Sequence, residues 1–243
     1  MLKFIKKQNI MKKLFFSLIA TVLLSFTGNA QQNISHNDAK KIAIEHNKYL
    51  ENLIKTKPTS EKNINDYFAN LKFENVSKEQ KAEYFTSFSY EANLALLKEH
   101  INNKLVFEFF TNCNLIIENE KSSVPEINVQ LDNQIELAKK ALTNTDLEVC
   151  LVYAEVLKKS AAFWLEKERG GSGIGSSFLN TTQANRGTPK SHKVLAADAM
   201  GASGALIVGG IAAGFSGPIA PLSFFAVVGA SAAWSSGCAA IGL

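Results

Sequence analysis

Residues 145–164 read TDLEVCLVYAEVLKKSAAFW. Leu147, Cys150, Leu151, Ala154, Leu157, Ala161 and Trp164 recur at spacings of three and four, which places them on one face of an α-helix. Thr145 stands three residues before Glu148, the pattern in which a hydroxyl and a carboxylate cap the free amides of a helix start. The same periodicity extends outward in both directions. Ile127, Leu131, Ile135, Ala138 and Leu142 form a stripe just upstream, with Leu105, Phe109, Cys113 and Ile116 before it. Ala39, Ile42, His46, Leu50 and Leu53 form another, and Ser77 with Gln80 repeats the start signal. The run Lys104–Phe110 (KLVFEFF) has a strand-like composition, but its apolar spacing continues through Ile117 and reads better as a buried helix. Tyr84, Phe85, Phe88 and Tyr90 read as core aromatics.

Glycine divides the chain. Of its 15 glycines, one is Gly28, five lie between Gly170 and Gly187, and nine lie between Gly201 and Gly242. Residues 31–169 contain none. Tight β-turns recruit glycine for positive φ, so a glycine-free stretch of this length argues against a hairpin-rich β domain. Pro58 and Pro125 fall where helical patterns pause. The expected fold is all-α, with a helical bundle of about five or six helices over residues 31–169.

The flanks differ from this bundle. Lys12 and Lys13 precede an uncharged apolar run of 13 residues, Leu14–Phe26, shorter than the ~20 that a spanning helix needs. Gly28 and Ala30 then supply small residues before a cut at Gln31. This is the grammar of a secretory signal peptide over residues 1–30, with Met11 as its start. Its removal takes away five lysines and no acid, so the formal +4 becomes 21 basic against 22 acidic residues, or −1. A nucleic-acid binder carries a basic excess, so that class is set aside. The expected location is the periplasm, the cell surface or the medium. Residues 170–193, with the run GGSGIGSS and with Arg186, Lys190 and Lys193, have the composition of a flexible basic linker.

Residues 194–243 carry one formal charge, Asp198, in fifty positions. The segments 194–215 and 222–243 are apolar and flank SGPIAP, so they read as two antiparallel helices in a hairpin. Each is roughly 30 Å long, about the hydrocarbon thickness of a bilayer. Ala197, Gly201, Ala205, Gly209, Ala213 and Gly217 recur every fourth residue, and Gly229, Ala233 and Gly237 repeat the spacing. Such a ridge of small residues lets two backbones approach closely, which is how helices pack in lipid. Three states are open for the tail. It inserts into a membrane and forms homo-oligomers through the ridge, it is a buried hairpin wrapped by the helices of 31–169, or it is a low-complexity disordered tail. In composition, residues 194–243 resemble glycine-zipper bacteriocins and related pore-forming peptides. That resemblance implies membrane permeabilisation, with a lipid membrane as partner. The long helical region and the signal peptide in front depart from the usual short leader and cationic segment.

No catalytic constellation is visible, so no enzyme is expected. His36, His46, His100 and His192 show no metal-ligand spacing, and neither a metal site nor a cofactor site is assigned. His46 lies on an apolar face and reads as a hydrogen-bonded core histidine. Asp198 reads either as a lumen-facing or pH-sensitive acid or as an acid favoured by a helix N-terminus. Cys113 and Cys150 lie on apolar faces of neighbouring helical segments. In an exported protein they pair as a disulfide or serve as small apolar core residues. The expected function is a secreted helical protein whose hairpin associates with membranes. The rival is an exported helical interaction module with the hairpin as its core.

Overall fold

The structure, a computed structural model, describes residues 34–73, 90–182, 191–216 and 221–241, with side chains in the last two helices for 191–207 and 225–241. The signal peptide, the Ser77–Gln80 start signal, Tyr84, Phe85, Phe88, residues 183–190 and Gly217 lie outside the described residues. The described residues are helical, with no strand among them. They form α1 (His36–Lys55), α2 (Glu61–Ala69), α3 (Tyr90–His100), α4 (Lys104–Glu118), α5 (Val124–Ala141), α6 (Asn144–Trp164), α7 (Ile174–Thr182), α8 (Ser191–Ser216) and α9 (Pro221–Ala240).

Local chemistry sets the helix starts. The Ser35 amide and hydroxyl donate to the Asp38 carboxylate at 3.2 and 2.6 Å, opening α1. The Ser123 amide and hydroxyl both donate to Glu126 at 2.8 Å, and Pro125 sits in the first turn of α5. The sequence places the start of α6 at Thr145, whereas the helix starts at Asn144 with Thr143 as its N-cap. Glu148 accepts the Ile34 amide at 3.2 Å, drawing the entry of α1 onto α6.

The stripes of α1 and α5 face inward as their spacing predicts. On α4 the buried face is Val106, Phe109, Phe110, Cys113 and Ile117, while Leu105 is 45 % exposed. The apolar arc of that helix is broad, with Lys104, Glu108, Thr111 and Asn112 opposite it, so periodicity alone does not choose which part of the arc is buried. Packing chooses it, with Phe110 stacked on Tyr153 of α6 at a ring separation of 4.3 Å. α6 is buried from Glu148 to Leu157 without a break. It is the central post of the fold, not the one-faced helix that its spacing suggests.

α8 and α9 pair antiparallel, with Gly201 against Ser235 and Ala232. α8 also packs on α6 and α3, and α9 on α1 and α2, while α4 and α5 cover the far side of α6. Residues from 31–169 and from 194–243 therefore share one hydrophobic core. The expected linker is folded over its first half. Gly170 takes φ +83° as a left-handed cap, and α7 buries Phe178 and Leu179. A Cβ on Gly175 would lie 2.9 Å from the Phe163 carbonyl oxygen and strike the Trp164 ring, so this glycine serves close packing. Arg169 donates from Nε and Nη2 to the Ser122 carbonyl at 3.0 and 2.7 Å, pinning the loop to the start of α5.

Gly229 is the tightest test of the arrangement. A Cβ there would stand 2.8 Å from the His46 amide nitrogen and 3.0 Å from the Ile42 carbonyl oxygen, backbone atoms that move only if α1 and α9 separate. Gly229→Ala is expected to destabilise the protein by about 1–3 kcal/mol, the usual range for overpacking, read from the urea midpoint. An unchanged midpoint would contradict the contact.

Candidate functional site

α8 and α9 differ from the other long helices in having no polar face, being apolar all round. A helix of that kind belongs either in a protein interior or in a bilayer. Here Val194, Leu195, Met200, Ala202, Ala205, Val227, Val228, Ala230 and Ala233 are all closed to solvent. Leu206 and Ile207, which the sequence leaves free for lipid or core, are buried as well.

Of the ridge, Ala197, Gly201 and Ala205 are buried, and Gly201 faces the second helix. Gly209 and Ala213 lie within α8, with their side chains outside the described residues, as is Gly217. The ridge of α9 does not interlock with that of α8. Gly229 meets the backbone of α1, and Gly237 meets Leu53 and Ile64. The small residues thus serve two different contacts, hairpin to itself and hairpin to sheath. Three hydroxyls in these helices, on Ser203, Ser231 and Ser236, are buried with no hydrogen-bond partner among the described residues, each a cost of about 1–3 kcal/mol.

Polar contacts converge on the hairpin at Asp198. Its Oδ2 accepts a short hydrogen bond from the Ser160 hydroxyl and another from the Trp164 indole N–H at 3.0 Å, both from α6. His46 Nε2 of α1 stands 3.4 Å from the same oxygen, within ion-pair reach but outside hydrogen-bond geometry. Asp198 and His46 are fully buried. Ser160, Asp198 and His46 are residue types of nucleophilic catalysis, but hydroxyl and imidazole both meet the carboxylate instead of each other. They are also closed to solvent, so no substrate reaches them. Two shallow grooves, one along Lys104, Phe107, Glu108 and Thr111 and one at Thr56, Asn63, Asp66 and Tyr67, gather no such set.

A second cluster ties the sheath together. Glu155 Oε1 lies 2.7 Å from His36 Nε2 and accepts from Lys158 at 3.0 Å, while Lys158 also donates to Asp132 at 2.7 Å. Burial works against the Lys158 charge, but the bonds to Asp132 and Glu155 outweigh it and raise the ammonium above its ordinary range. Among the described residues no three His, Cys, Asp or Glu side chains stand together as a metal site. The convergence of Ser160, Trp164 and His46 on Asp198 has no signal in the sequence, because these residues come from three separate helices. No protein family, curated protein or solved structure matches the chain.

Cys113 and Cys150 are buried free thiols. Burial pushes both up, and the nearness of Cys113 adds to the effect on Cys150. Cys238 is pushed up to about 12, by burial and then by Glu61. Thiols held protonated are poor nucleophiles. The reduced, folded protein is therefore expected to resist iodoacetamide at Cys113 and Cys150 under mildly alkaline conditions and to react at both once unfolded. Rapid labelling of either in the folded chain would contradict this packing. A linked 113–150 peptide from exported, unreduced protein would establish the disulfide instead.

Proposed function

We propose that the chain is an exported helical protein that stows a membrane-seeking hairpin inside a sheath of amphipathic helices and delivers it to a lipid bilayer when the sheath opens. The observation that carries this reading is that α8 and α9, apolar all round, form the interior of a bundle whose outer helices are amphipathic. In water the hairpin needs the sheath; in lipid it does not. Its buried, unpartnered serines and its small-residue ridges suit association in lipid, where hydroxyls and close backbones hold helices together. The bilayer-bound form is a paired hairpin or an assembly of hairpins. Among the described residues no helix is long and apolar enough to cross a membrane, and the glycine, alanine and serine content lowers the hydropathy of each helix of the hairpin. Permeabilisation of the target membrane is the activity that this arrangement serves, and no catalytic role is assigned.

The rival reading is an exported interaction module in which the hairpin is permanent core. It draws on the same shared core.

Vesicles of phosphatidylcholine and phosphatidylglycerol separate the two. Residues 31–243, loosened by sub-denaturing urea, are expected to sediment with the vesicles and release trapped dye. A chain ending at residue 193 is expected to do neither. If the full mature chain neither sediments nor leaks dye when loosened, the interaction module takes the place of the delivery reading.

A further inference from the structure

Residues 194–243 carry one formal charge, Asp198, and α1 and α6 both meet it, while α2 holds the second helix separately through Asn65, which accepts from the Trp234 indole at 2.6 Å. We propose that Asp198 and His46 form an acid-sensitive latch, in which uptake of a second proton by the pair releases α8 and α9 from α1 and α6. This inference rests on the delivery reading above.

The tautomer of His46 follows from its neighbours. The Asn47 side-chain amide donates to the Lys159 carbonyl at 3.0 Å, which fixes its Nδ2 on that side and turns its Oδ1 toward His46. His46 Nδ1 lies 2.9 Å from that Oδ1. An amide oxygen only accepts, so Nδ1 carries the proton. In a neutral ring Nε2 is then a bare lone pair, aimed at Asp198 Oδ2 3.4 Å away. With no further proton, lone pair faces carboxylate. With one, either an imidazolium faces a carboxylate or a neutral ring faces a carboxylic acid, and both are complementary. With two, an imidazolium is left in an apolar interior beside a neutral acid. One proton between the facing atoms makes them complementary, and a second leaves a cation with no carboxylate beside it.

The surroundings offer no relief for the second charge. α6 contributes Ser160 and Trp164, already bonded to Oδ2. α9 places Gly229, which has no side chain, against the His46 amide and brings Ser235 against Gly201, one turn along α8 from Asp198. Among the described residues no other charged side chain forms an ion pair with Asp198 or His46. Buried charge without a partner is strongly unfavourable. Acid thus acts twice in the same direction, placing an uncompensated cation in the sheath and removing the charge that keeps the hairpin out of lipid.

Residues 31–243 and two variants are mixed with phosphatidylcholine–phosphatidylglycerol vesicles across about pH 8 to pH 4, the range in which histidine and carboxylates titrate. Sedimentation reports association, and circular dichroism and tryptophan fluorescence report the fold. Wild type is expected to associate increasingly as pH falls. His46→Gln, which cannot become a cation, is expected to move the midpoint to lower pH by about one unit, a tenfold change in proton concentration. Asp198→Asn is expected to associate already at neutral pH, since the hairpin is then uncharged. If that variant does not fold, His46→Gln decides. Coincident profiles for wild type and His46→Gln would overturn the latch. Wild type that associates when loosened by urea but never in response to pH would overturn the latch and leave delivery standing. Association under neither condition would overturn both.

Discussion

Two helices without a polar face need neighbours on every side, and the rest of the fold is arranged to provide them. α8 and α9 cover one side of each other, while α3 and α6 pack on α8 and α1 and α2 pack on α9. α1 does this with an apolar stripe turned inward and a charged back for solvent, Ile42, Leu50 and Leu53 inside and Lys41 and Lys48 outside, whereas α6 is itself buried. Glycine adjusts the fit. At Gly229 the backbone of α9 meets that of α1 directly, an approach that any side chain would prevent.

Covering the hairpin leaves polar atoms to accommodate. Asp198 is hydrogen-bonded from α6 and faced by His46, which offsets part of the penalty for taking a carboxylate out of water. Ser203, Ser231 and Ser236 have no such help. The interior is therefore well filled but not well satisfied, with Asp198 Oδ1 and the three serine hydroxyls unpartnered in the hairpin and His46 Nε2 and Asn128 Oδ1 in the surrounding helices, among the described residues. A core of Leu, Ile and Val in the same place would hold more firmly. The Gly, Ala and Ser content is what makes a second environment, one in which small residues and hydroxyls pair across helices, a physical competitor for the same segment.

Much of this was legible in the sequence. The glycine-free stretch gave all-α, and the stripes of α1 and α5 named their buried residues. The start of α6 falls at Thr143 and not at Thr145, and Glu148 accepts from Ile34 at the entry of α1, a contact with no local signature. On α4 a broad apolar arc left the buried part of it to be chosen by Tyr153. In the 170–175 cluster, glycines used for close packing against Trp164 and Leu165 look the same in sequence as glycines used for flexibility. The hairpin itself is ambiguous for a physical reason, since an all-round apolar helix reads identically whether its neighbours are lipid tails or other helices. The grip on Asp198 is assembled from α1, α6 and α8, and only the folded arrangement brings those residues together.

The central claim is that the hairpin is the interior of the folded protein. Amide hydrogen exchange followed by mass spectrometry addresses it directly, because protected amides mark the elements that open last. Peptides covering 194–207 and 225–240 are expected to exchange as slowly as those of α6, and all of them to open together when the protein unfolds. Rapid exchange in the hairpin peptides, with α1 and α6 still protected, would contradict the account by showing a sheath that stands without its core.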